Sequence, residues 1–98
     1  MRVFDNDSQK PVGHLVDVGA IGMRLETSAP LPLGKEFHLY MELTPEISDK
    51  LFMFVTARTK WYKIDDIMPN LYHVGFEITH MALDDREIYQ RLLQKYGK

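Results

Sequence analysis

Between residues 36 and 44 the chain alternates with a period of two: Phe37, Leu39, Met41 and Leu43 face Glu36, His38, Tyr40, Glu42 and Thr44. Successive side chains of a strand point to opposite faces, so this stretch is a strand with one buried face and one largely polar face. Similar signals fill most of the length. Arg2–Asp5 and residues 12–18 read as two strands of a hairpin, joined by Asn6-Asp7-Ser8-Gln9-Lys10-Pro11, a run that tolerates turns. Gly22–Thr27 sets Met23 and Leu25 against Arg24 and Glu26, and the Pro- and Gly-bearing residues 28–34 break the sheet. Residues 51–63 form a longer strand that is apolar on both faces at its start: Leu51, Met53 and Val55 on one, Phe52 and Phe54 on the other. In residues 71–79, Tyr72, Val74, Phe76 and Ile78 alternate with His73, Gly75, Glu77 and Thr79. Six strands in 98 residues make one domain, in which strands must cover strands, as in a small barrel or sandwich.

One helix follows. Its apolar stripe is Ile88, Leu92 and Tyr96, flanked by Tyr89 and Leu93. Asp84 and Glu87 have the spacing of a capping box, Leu83 and Ile88 can staple around it, and Gly97 suits the far end. The stripe is expected to lie over an open end or an exposed wall of the barrel, shielding aromatics such as Phe52 or Phe54.

Several kinds of function find no support. The absence of cysteine excludes disulfides, thiolate metal sites and cysteine nucleophiles, and makes a reducing cytosol the default. Twelve Lys and Arg against fourteen Asp and Glu leave a net charge of −2, without the basic excess that draws long nucleic acids or anionic membranes. The longest apolar run, residues 51–55, cannot span a bilayer, and residues 1–7 have no signal-peptide core, so a soluble protein is expected. There is no internal repeat, low-complexity stretch or linker.

His14, His38, His73 and His80 lack metal-ligand spacing and read as solvated residues. Ser8, Ser28 and Ser48 fall in turns without a nucleophile elbow. The acid pairs Asp65-Asp66 and Asp84-Asp85 suit a solvated loop and a helix start. The informative stretch is Asp17-Val18-Gly19-Ala20-Ile21-Gly22. Its glycines allow a sharp bend with outward amides and close ligand approach, and Asp17 at the strand end offers a carboxylate that can accept the two N–H donors of a guanine edge. A tight turn or bulge that needs glycine only for its backbone angles explains the same residues.

The order of these features resembles a PilZ domain over nearly the whole chain. The features are the hairpin, the turn from Asp17 to Gly22, the Met23-Arg24-Leu25 strand, the Pro/Gly break, the strand bearing Trp61, the Val74-Gly75-Phe76-Glu77 strand and the helix that begins Asp84-Asp85-Arg86-Glu87. The resemblance implies an all-β fold with one helix: a six-stranded antiparallel barrel closed by a C-terminal α-helix, as one domain over residues 1–98. It implies a bacterial, cytoplasmic, non-catalytic receptor or adaptor for cyclic di-GMP that passes second-messenger levels to a protein partner, with no cofactor, no DNA or RNA polymer and no membrane insertion. The family's signature has two parts. Its Arg-x-x-x-Arg arm is absent, because no two of Arg2, Arg24, Arg58, Arg86 and Arg91 are four apart, so an arm would lie upstream of Met1. Its Asp/Asn-x-Ser-x-x-Gly turn is present with Asp17 and Gly22 in place and Gly19 where the family has serine. The implied binding set is Asp17, Gly19 and Gly22, with Arg2 and Arg24 as available cations. A lost hydroxyl costs about 0.5–1.5 kcal/mol, against roughly 1.5–3 for each lost charge-assisted contact, so the arm matters more. Its absence also fits a degenerate PilZ-like adaptor that does not bind nucleotide. Trp61 and Gly75 match the family's barrel and read as structural, a large core or wall residue and a gap for close backbone packing.

Overall fold

Alternation becomes closure in the computed structural model, which describes residues 1–97. The strands are β1 (Arg2–Asp5), β2 (Pro11–Val18), β3 (Gly22–Thr27), β4 (Glu36–Glu42), β5 (Phe52–Ile64) and β6 (Tyr72–Met81), followed by α1 (Leu83–Tyr96). They form a closed barrel in the order β1-β2-β3-β6-β5-β4, every pair antiparallel, with β1 meeting β4 at Val3 opposite Met41. This is the six-stranded barrel with a C-terminal helix that the resemblance implied.

The inward set follows the period of two. Val3, Met23, Leu25, Phe37, Leu39, Met41, Met53, Val55, Ala57, Val74 and Phe76 are all buried. A fully buried side chain of this kind contributes about 1.5–3 kcal/mol over an exposed one, so this set supplies most of what holds the barrel together. Two threonines share the interior, and both are satisfied: Thr27 Oγ1 donates to Ala29 O at 2.7 Å and Thr59 Oγ1 to Pro32 O at 2.5 Å.

α1 plugs the barrel end where the β2–β3 turn and the β4–β5 loop lie. Ile88, Tyr89 and Leu92 enter the core, joined by Ile47 from the loop. Polar ties surround this apolar contact. Lys50 Nζ reaches the Asp85 carboxylate at 2.6 Å, Arg91 Nη1 donates to Ile47 O at 2.8 Å, and Lys95 pairs with Glu46. The helix begins two residues earlier than a capping box at Asp84 requires: Ala82 is the cap, without a side-chain bond, and Asp85 N donates to Ala82 O. Leu83 is exposed, so the staple does not form. Asp85 is buried beside Lys50 rather than solvated.

The helix covers the open end and leaves Phe52 and Phe54 uncovered. Those two lie on the outer wall with Tyr40 between them, at ring distances of 5.3 and 5.8 Å, and Phe4 stacks on Tyr40 at 5.0 Å. Leu51 precedes β5 and is exposed instead of sharing the inward face with Met53. Beyond Thr59, which exchanges hydrogen bonds with Gly34 and Lys35, the outer half of β5 pairs only with β6.

Candidate functional site

Two single-residue irregularities decide which side chains reach the surface. Along β2 and β3, Leu15 faces Leu25, but Asp17 faces Arg24, one position off the register that would place it against Met23. The extra residue is Val16. Leu15 points inward, so uninterrupted alternation would send Asp17 inward too; the bulge turns Asp17 out and returns Val18 to the core. A second shift lies in β5. Thr59 is buried opposite Phe76, and after the extra residue Lys60 the ring of Trp61 lies outside, across Gly75. A Cβ on Gly75 would stand 2.1 Å from Trp61 Nε1, so glycine is required for the indole to lie flat against β6. Trp61 is therefore a wall residue, 45% exposed.

Asp17 and Trp61 thus border one open depression of about 550 Å³, completed by Gly19, Gly22, Arg24 and Lys60. The structure brings together four of the five residues singled out in the sequence. Arg2 lies elsewhere: its guanidinium pairs with Glu42 at 2.6 Å and sits over the Phe4 ring.

A polar chain organises the wall below the depression. Arg24 Nε donates to Asp17 Oδ2 at 2.9 Å, and Arg24 Nη1 lies 2.9 Å from His73 Nδ1. Arginine has no acceptor, so His73 accepts at Nδ1 and carries its proton on Nε2, which donates to Asp65 Oδ1 at 2.8 Å. Asp65 also accepts the Ile67 and Met68 amides. The His73 hydrogen bond, followed by those from Met68 and Ile67, holds the Asp65 carboxyl down at about 2. His73 and Asp65 are thus fixed members of a chain, not solvated surface groups. Among the described residues no group of three or more His, Asp and Glu side chains is arranged to hold a metal ion.

The turn itself is more committed than its glycines suggest. Gly19 N donates to Gly22 O at 2.7 Å, so this amide closes the turn instead of pointing outward to a ligand. Gly22 packs so closely on β6 that a Cβ would stand 2.6 Å from Phe76 O. Gly19 has room, with nothing nearer than 3.9 Å to a Cβ, so the serine of the family pattern would fit there. From the other side, the Tyr89 hydroxyl of α1 lies 2.5 Å from Gly19 O and 3.0 Å from Gly22 O. Burial pushes its pKa up to about 12. Lys60 and Tyr89 were missed in the sequence. The trace that Lys60 left is the spacing of Thr59 and Trp61, which alternation alone puts on one face; Tyr89 read as one more member of an apolar stripe.

The arrangement offers a half-exposed indole on which a planar base can stack, cations at Arg24 and Lys60 for phosphate, and a carboxylate at a glycine turn. The PilZ domain family model matches residues 2–95. No curated protein and no solved structure matches the chain significantly. Barrel, turn and family match agree: the chain belongs to the PilZ family.

Proposed function

We propose that this PilZ domain is a non-catalytic receptor for cyclic di-GMP that transmits second-messenger levels to a partner protein in the bacterial cytoplasm. The observation that carries the reading is the convergence of Trp61, Arg24, Lys60 and the Asp17–Gly22 turn on one open depression. A purine stacks on the indole, a phosphate meets the cations, and the Asp17 carboxylate, held at the rim by Arg24, receives the guanine N–H groups. No helix among the described residues is long and apolar enough to cross a membrane. Calorimetric titration of the chain with cyclic di-GMP, together with any native residues that precede it, tests the reading. Binding that weakens in Asp17→Ala without loss of the fold supports it; no heat at millimolar ligand ends it.

A second reading is favoured by a separate observation. Asp17 is already bonded to Arg24, and the Gly19 amide is already used, so the turn is self-sufficient without nucleotide. In that reading the chain is a protein-interaction adaptor alone, and its contact surface is the exposed aromatic wall of Phe52 and Phe54.

A further inference from the structure

The five arginines of the chain are not equally engaged. Arg2 pairs with Glu42, Arg24 with Asp17, Arg58 with Glu36, and Arg91 with Glu87 and Ile47 O. Of the five, only Arg86 has no hydrogen-bond or ion-pair partner among the described residues, and the same is true of His80. The two share a groove of about 300 Å³ between α1, the end of β6 and the apex of the β2–β3 turn, with Gln90 beside them and Ile21, Ile78 and Met81 supplying apolar lining. Ala20 and Ile21 line both this groove and the Asp17 depression, so the two are contiguous across the turn's apex.

We propose that Arg86 holds a phosphodiester group of the dinucleotide, in a subsite reached over the Ala20–Ile21 apex. The inference rests on the nucleotide reading above and adds the residue and the path. Its physical basis is the distribution of free charge. In the first depression Arg24 is neutralised by Asp17, and Lys60 lies 3.8 Å from Glu77, so neither offers an undivided charge to a dianionic ligand. Arg86 does, and its planar fork can grip two phosphate oxygens at once while Gln90 donates from the next helical turn. The chain thereby supplies from its C-terminal helix a cation for the ligand independently of any arm before β1.

The test is calorimetry with cyclic di-GMP on wild type, Arg86→Ala and Arg86→Lys, with Trp61 fluorescence as a second readout. Arg86 is on the surface and bonded to nothing, so its replacement should leave the melting curve in place. Loss of one charge-assisted contact should raise Kd about tenfold or more in Arg86→Ala, with part of the loss recovered by lysine. Equal affinity of Arg86→Ala and wild type, with Trp61 still responding, overturns the Arg86 subsite and leaves the receptor reading intact. No binding by wild type overturns both.

Discussion

The two walls of this barrel use the same outward positions in opposite ways. On β2, β3 and β6 those positions carry Asp17, Arg24 and His73, each bonded to the next and anchored at Asp65. On β1, β4 and β5 they include Phe4, Tyr40, Phe52 and Phe54, which meet one another as rings, with the Tyr40 hydroxyl donating to Gln9 at the edge of the cluster. Directional bonds fix where each group of the first wall stands, which suits recognition of a small ligand with its own donors and acceptors. Ring contacts specify little and leave apolar area in water, which suits a protein surface. The contrast also extends to packing: glycines let the first wall lie close against its neighbours, and the second has none.

The largest effect expected is at Gly22. Alanine there drives a Cβ into the Phe76 carbonyl, which is backbone and cannot swing aside, so urea denaturation should show a loss of about 1–3 kcal/mol. Gly75→Ala provides the control within the same wall. Its clash is with the Trp61 side chain, which can move, so the sign to look for is altered Trp61 fluorescence with a smaller change in stability. Tyr89→Phe comes next. It removes the hydroxyl that ties α1 to the turn and leaves the Gly19 carbonyl without its donor, a cost of about 1–2 kcal/mol in chemical denaturation. Its raised pKa adds a check at alkaline pH. A folded-state value above the unfolded one contributes stability that is complete below about pH 10 and is lost as pH rises toward about 12 in wild type, a loss Tyr89→Phe should not share.

On the aromatic wall, Phe54→Ala should cost only about 0.5–1.5 kcal/mol, because the ring is half exposed and loses little beyond its contact with Tyr40. It should leave nucleotide affinity unchanged; a large affinity loss would show that the two walls are coupled and do not divide their roles. The smallest effect is acid-dependent. Asp65 titrates in the folded chain at about 2, below its ordinary 3.8, so it contributes stability present above about pH 4 and lost as pH falls toward 2. Asp65→Asn should lack this acid-sensitive component, read as a flatter pH profile of unfolding and altered NMR signals of His73.

Strand number, barrel closure and the terminal helix were legible because burial follows a period that the apolar residues print directly. What was not legible is where the period slips. Leu15 and Val18 are both buried though three residues apart, and that odd spacing is the only mark in the sequence of the bulge that exposes Asp17 and aligns it with Arg24. Trp61 escaped the interior in the same way at Lys60. The helix stripe and the open end it covers were read correctly but the aromatics it shields were not, since periodicity names the buried face without naming what it meets; Ile88 and Leu92 go to the barrel's mouth, and Phe52 and Phe54 stay outside. The helix start was misplaced because Asp84 and Glu87 have the spacing of a cap, whereas Asp85 is recruited instead by Lys50, thirty-five residues away.

The half of β5 that outruns β4 leaves Tyr62 and Ile64 on a sheet margin with one side open. Another chain could add there as a further strand. Lys60 and Lys63, both more than half exposed and paired with Glu77 and Asp66, stand along that margin, and a strand added there would have to accommodate these charges. Charged side chains of this kind make an open margin a poor template for a further strand.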